Sequence, residues 1–302
     1  MDRPSAIVGA SGYIGGRLVE ALLADGGAPR LLGRSPDALR RRWPAAYVAR
    51  LDVTEPDTIG SALAGTGTVY YLVHAMAAGE AGFAERDRAA ARAFGAAAAG
   101  AGVKRIVYLG GLGSTDDQLS EHLESRQETG RLLAEGGPPV LELRAGMVIG
   151  AGSASFRMLS DLVRRLPLMV TPRWVATRSQ PIAISDVVSY LIRAAEVPLA
   201  GDHTIVEIGG VDVLSYREMM RRVGAARGRR PRIVTVPVLT PRLSSLWCGL
   251  VTSVPTSIAR PLIDGLRNET IVRGDAAVRM FPDVQPVGFD QAVDAALREA
   301  TT

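Results

Sequence analysis

Residues 6–8 form a short apolar run that ends in Gly9-Ala10-Ser11-Gly12-Tyr13-Ile14-Gly15-Gly16, and a helical pattern starts at once. No other stretch narrows the fold so far. Gly9, Gly12 and Gly15 stand three apart. Glycine at such points lets a chain turn sharply behind a strand, lets a pyrophosphate approach the main chain, and lets the next helix pack close. The free N–H groups at the helix start then hold phosphates. The pattern predicts a dinucleotide-binding turn with one extra residue in its first gap. Gly9, Ser11, Gly12, Tyr13, Ile14 and Gly15 are its candidate binding residues.

The chain behind this turn alternates. Strand patterns cover residues 5–8, 29–32, 47–51, 68–73, 105–109 and 140–144. Helical patterns lie between them, including an alanine-rich one over 80–102 and another over 120–134. Ser35 before Pro36 reads as an N-cap, and Thr54 with Asp57 as a capping box. Such alternation predicts an α/β fold of the Rossmann type, a doubly wound parallel sheet with a smaller C-terminal substrate lobe. The division expected is 1–150 for the cofactor domain and 151–302 for the lobe, with returns to the sheet around 178–208. Past residue 150, helices are expected over 156–166, 185–195, 215–224, 244–254, 257–266 and 288–300. Strands are expected over 181–184, 203–208 and 232–236. Residues 167–180 read as irregular and proline-punctuated.

The 302 residues include 47% hydrophobic and 22% charged residues, a globular balance. The single cysteine, Cys248, excludes an internal disulfide. His74, His122 and His203 lack metal-ligand spacing, so no metal is expected. Net charge is +4. Its densest clusters, Arg40-Arg41-Arg42 and Arg229-Arg230, have no interleaved aromatics and read as solvated faces, not nucleic-acid sites. No apolar run is long enough to span a bilayer, and Asp2 and Arg3 lead directly into a strand. A soluble cytoplasmic protein is expected, as monomer or homodimer.

Arg34 follows strand two, where an adenosine ribose would lie. An acidic residue there binds the 2′-hydroxyl of NAD, whereas arginine suits the 2′-phosphate of NADP. NADP(H) is therefore favoured over NAD(H); the alternative is a plain surface arginine. Asp52 and Val53 end strand three and are candidates to frame the adenine, against a plain turn aspartate. Leu72, Val73 and His74 end strand four, and Leu109, Gly110 and Gly111 end strand five. Ligands bind at such carboxyl ends. His74 either contacts the cofactor or only terminates its strand.

These stretches, with 143–156, 180–187 and 260–268, resemble the atypical, extended short-chain dehydrogenase/reductases, close to the NmrA-like and YbjT-like proteins. The likeness covers most of the chain. It implies that the glycine loop binds pyrophosphate, that Arg34 selects NADP, and that the ends of strands four and five meet the nicotinamide half. It extends the implied cofactor site to Ala145, Gly146 and Met147. One departure stands out. Ordinary members use a Tyr-x-x-x-Lys pair on the helix after strand five. Here Lys104 is the sole lysine and precedes that strand. At the corresponding place stand His122 and Arg126, four apart and so on one helix face. Arg126 is the candidate to bind ribose and supply positive charge, but it cannot shuttle a proton. His122 is the candidate general acid, because imidazole titrates near neutrality; the alternative is that water supplies the proton. Ser114 is the candidate for the family's substrate-side serine.

Apolar residues over 166–175 and 246–254, among them Met169, Trp174, Trp247 and Leu250, read either as the pocket of a hydrophobic small-molecule substrate or as lobe core. The function expected is an NADPH-dependent reductase of a carbonyl, imine or conjugated alkene. Two alternatives stand beside it: an NADP(H)-sensing binding protein without turnover, and a non-redox isomerase or cyclase that retains the cofactor.

Overall fold

Each of the six strands predicted before residue 150 is present in the computed structural model, which describes residues 3–73, 83–114, 118–235 and 253–301. They are β1 (Ala6–Val8), β2 (Arg30–Gly33), β3 (Val48–Arg50), β4 (Thr68–Tyr71), β5 (Arg105–Gly111) and β6 (Val140–Ala145). The helices between them are α1 (Tyr13–Ala24), α2 (Pro36–Arg42), α3 (Ile59–Leu63), α4 (Phe83–Gly100) and α5 (Glu121–Ala134). After β7 (Val148–Ile149), α6 (Ala154–Arg165), β8 (Leu168–Thr171), β9 (Arg178–Ser179), β10 (Ile182–Ala183) and α7 (Ile184–Ala194), the chain re-enters the sheet as β11 (His203–Ile208). All strands of this sheet pair in parallel, in the order β11-β6-β5-β4-β1-β2-β3. Parallel strands need crossovers, and the helices that supply them cover both faces. One face buries Ile7, Leu31, Tyr70, Val107 and Leu143 under α1 and α7; the other buries Val8, Tyr71 and Ile106 under α3, α4 (with its Phe94) and α5.

A third core holds the remainder together. It joins α6 to α8 (Tyr216–Ala226), which follows β12 (Leu214–Ser215), and to two helices beyond β13 (Arg232–Thr235): α9 (Thr256–Gly265) and α11 (Phe289–Glu299). The short α10 (Ala276–Met280) lies between those two and packs on β11. Ser215 caps α8, its hydroxyl accepting from the Glu218 amide at 3.2 Å.

Several local expectations are corrected. Ser35 precedes Pro36 at the start of α2, but its side chain caps nothing. Thr54 and Asp57 form no capping box. Thr54 turns back instead, its amide and hydroxyl both donating to Asp52 Oδ1 at 3.0 and 2.8 Å, and Pro56–Thr58 is a 3₁₀ turn. Residues 167–180 are not irregular throughout. They contain β8 and β9, each paired to a strand far along the chain, β13 and β12. The helix expected over 244–254 falls mostly outside the described residues.

One polar group lies inside the sheet. Glu142 on β6 is fully buried, accepts from Arg144 Nε at 2.7 Å and is bonded to His203 Nε2 at 2.8 Å. Glycines make its room: a Cβ at Gly110 would stand 2.6 Å from Glu142 Oε1, and one at Gly130 would overlap the carboxylate. Among the described residues no helix is long and apolar enough to cross a membrane, and no cluster of metal-ligating side chains occurs.

Candidate active site

Strand order reverses between β1 and β4, which leaves a crevice beyond their carboxyl ends. A cavity of about 430 Å³ opens there. Gly12, Tyr13, Ile14 and Gly15 line one part of it. The strand ends contribute Leu72, Val73, Leu109, Gly111 and the stretch Ala145, Gly146 and Met147. Helix α5 adds His122, Leu123 and Arg126.

The glycine turn closes for steric reasons. Gly9 has φ +92°, and a Cβ there would stand 2.8 Å from the Leu72 carbonyl oxygen. A Cβ at Gly15 would collide with the Gly9 carbonyl, so helix α1 lies directly on the turn. The Gly12 amide donates to Gly9 at 3.0 Å. Helix α1 has neither a side-chain cap nor an acidic residue in its first turn. Its leading N–H groups are thus left to an anion, at the positive end of the helix dipole. Tyr13 contributes packing: a Cβ at Gly152 would overlap its ring, and burial raises its phenol pKa. Gly9 and Ser11 lie outside the lining, Ser11 being exposed.

Arg34 directly follows β2, is exposed, and hydrogen-bonds to no described residue. Asp52 and Val53 are half-buried and also outside the lining. Burial raises the Asp52 carboxyl, but the Thr54 amide and hydroxyl, then Arg34 and Arg50, outweigh it and hold it below the usual carboxylate range. One oxygen of Asp52 is already committed to Thr54. Gly110 does not line the cavity either: successive residues of a strand face opposite sides, and Gly110 turns to Glu142. His74 lies outside the described residues.

Helix α5 is pinned at its start. Ser120 Oγ accepts from the Leu123 amide, while Asn268, from the far end of the chain, accepts from the Ser120 amide at 3.0 Å and donates to Gln118 at 2.9 Å. His122 and Arg126 then share the cavity wall. Arg126 Nη2 donates to the Leu109 carbonyl at 2.5 Å, and its Nε is buried without a partner. His122 departs from expectation. Burial first, then the charge of Arg126, holds its imidazole down to about 4, so it does not titrate near neutrality. It stands beside the cavity as a neutral ring. Tyr108 offers no replacement, since its hydroxyl donates to the Arg126 carbonyl at 2.9 Å and burial pushes its pKa up to about 12. Ser114 is buried outside the lining and accepts from Arg273 Nη1.

The remaining wall is mostly apolar, with Ser153, Ser155 and Thr270 as polar members, and sequence reading missed most of it. Three helices present pairs four residues apart: Met158 and Leu162, Tyr216 and Met220, and Leu262 with Leu266 at the helix end. That i, i+4 spacing was the available signal, but it also marks ordinary core. Trp174 lines the cavity, whereas Met169 is buried in the lobe core. Trp247 and Leu250 lie outside the described residues. No carboxylate appears among the described lining residues. An uncapped helix start, an unsaturated guanidinium and the lack of acidic groups fit an anionic dinucleotide.

Comparison with known proteins agrees. Residues 9–135 match the family model described as NAD(P)H-binding. A ceramide reductase of Caulobacter vibrioides is 27% identical over 260 residues, covering 83% of this chain and 80% of that protein. Among solved structures, a nucleoside-diphosphate-sugar epimerase from Staphylococcus aureus superposes with a TM-score of 0.75 at 16% identity, covering 96% of this chain and 99% of that one. An NADPH-dependent quinone oxidoreductase from Escherichia coli gives 0.74 at 17% identity, covering 96% and 98%. The fold is of the Rossmann type, and residues 9–135 are similar to an NAD(P)H-binding domain. These likenesses are to NAD(P)H-binding reductases and epimerases, over one family model that spans residues 9–135 and over folds that span nearly the whole chain.

Proposed function

We propose that the protein is an NADPH-dependent reductase of a carbonyl, imine or conjugated alkene carried by a hydrophobic small molecule. One observation carries this reading: the cavity joins the glycine turn to a wall of Met158, Leu162, Trp174, Met220 and Leu262, with no acidic side chain among the described lining residues. A sugar nucleotide would need polar partners for its hydroxyls, because an unpaired buried polar group is costly. The relative named a ceramide reductase supports a lipid-like substrate. Arg34, hydrogen-bonded to no described residue, supports NADPH through the 2′-phosphate.

A reduced nicotinamide bound here would supply the hydride. The chain's own part is positional. The leading amides of α1 would hold the pyrophosphate. Arg126 sets its charge beside the Leu109 carbonyl, where a ribose would be oriented. The apolar wall holds the substrate chain and excludes water. His122, neutral at pH 7, donates a hydrogen bond from one ring nitrogen to the substrate oxygen, and that oxygen takes its proton from solvent.

The test is NADPH consumption with a long-chain ketone and, in parallel, with a sugar nucleotide. Consumption with the ketone alone supports the reading; consumption with the sugar nucleotide alone overturns it. The neutral His122 favours a second reading, a cofactor-binding protein without turnover, which predicts tight NADPH binding and no consumption with either.

A further inference from the structure

Strands β8 and β13 pair in parallel, with Arg232 beside Leu168 and Val234 beside Val170. Leu168, Val170 and Val234 are 52%, 46% and 49% exposed, while Met169 and Thr171 between them are buried. The pleat therefore puts three aliphatic side chains and Arg232 on one outward face. Single exposed aliphatics are ordinary, but three on adjacent strands form a patch.

The frame of this patch is basic. Residues 164–173 and 227–235 carry Arg164, Arg165, Arg173, Arg227, Arg229, Arg230 and Arg232, and neither Asp nor Glu. These cations crowd one another: burial and then the charges of Arg164 and Arg229 lower the pKa of Arg227, against the pull of Asp161. Asp161 is the acidic group that intrudes, and it is engaged by Arg164 at 3.1 Å and the Ser253 amide at 2.7 Å. Arg229, Arg230 and Arg232 are ion-paired with no described carboxylate.

We propose that this face of the β8–β13 pair docks the protein on an anionic lipid bilayer. Aliphatic side chains ringed by guanidinium groups match the acyl boundary and the headgroup phosphates of such a surface. Single-stranded nucleic acid would call for exposed aromatics on which bases stack, and the two strands carry none. The patch also sits on elements that wall the cavity. Helix α6 carries Arg164 and Arg165 in its last turn and gives Met158 and Leu162 to the lining; the chain after β8 gives Trp174.

The experiment is co-sedimentation of the full chain with phosphatidylcholine vesicles and with vesicles containing phosphatidylglycerol. At least tenfold tighter binding to the anionic vesicles is expected. It should fall at least tenfold in Arg229→Glu/Arg230→Glu and, separately, in Leu168→Ser/Val170→Ser/Val234→Ser. Both variants should keep the wild-type melting temperature and NADPH affinity; should the triple variant not fold, the charge variant still reads the proposal. Equal binding to both vesicles, or anionic binding untouched by the charge variant, overturns it. So does heparin binding as tight as vesicle binding and unaffected by the aliphatic variant, which would make the patch a polyanion site. A wild-type dimer that Val170→Ser dissociates would overturn it in favour of a second copy of the chain.

Discussion

Arg126 donates from Nη2 to the carbonyl oxygen of Leu109 at 2.5 Å, and its own carbonyl accepts from the neighbouring Tyr108 at 2.9 Å. Helix α5 and the cavity end of β5 are thereby one unit. Arg126→Ala leaves the Leu109 carbonyl without this donor and removes the cation from the wall. Turnover should fall at least tenfold and NADPH affinity should weaken. Arg126→Lys should recover part of both, because lysine keeps the charge but not the fork. Steady-state kinetics and a fluorescence titration read the two effects.

Gly15 tests the turn. A Cβ there meets the Gly9 carbonyl, so α1 must lift from β1. Gly15→Ala is expected to cost about 1–3 kcal/mol in urea unfolding, as overpacking does. NADPH binding should be lost with it. An alanine variant with wild-type stability and binding would mean that the close approach is not needed.

Arg34 decides between the two nicotinamide cofactors. NADPH should bind at least tenfold tighter than NADH, and Arg34→Asp should narrow that gap from the NADPH side. Calorimetric titration of each cofactor measures it. Equal affinities in the wild type would remove the 2′-phosphate from the account.

The depressed pKa of His122 has a sign. Its folded value is about 4 against an ordinary 6.5, so below pH 6.5 the unfolded chain binds the extra proton. Stability from this group is complete above pH 6.5 and is lost as pH falls through 4, on the order of 3 kcal/mol in all. His122→Gln should flatten the stability profile across that window relative to wild type. At pH 7 only about one imidazole in a thousand is charged. The rate profile should therefore show no histidine limb near neutrality.

Glu142 is held inside the sheet by Arg144 and His203. Glu142→Ala strands a buried guanidinium and should cost about 3–5 kcal/mol in thermal or urea unfolding, the range for breaking a buried pair. Glu142→Gln keeps the volume and should cost less.

Much of the fold was legible because its signals are local. The glycine turn and the alternation of strands and helices are written in short windows, and each of the six strands predicted before residue 150 is present. Local signals also misled. Thr54 and Asp57 have capping-box spacing, but Thr54 is claimed by Asp52. Residues 168–171 become a strand through Arg232–Thr235, some sixty positions on, which no window contains. The site divides the same way. Its glycine turn and the α5 pair could be read from spacing. The apolar wall could not, because it is assembled from three separate helices. The neutrality of His122 was hidden too, since it depends on burial and on Arg126.

The central claim is hydride transfer to a hydrophobic substrate, and NADPH carrying deuterium at the transferred position tests it most directly. With a long-chain ketone, mass spectrometry of the alcohol should find one deuterium per molecule and one NADPH oxidised for each. Product formed without the label and without NADPH loss would contradict the account and make the reaction an isomerisation or cyclisation that merely retains the cofactor.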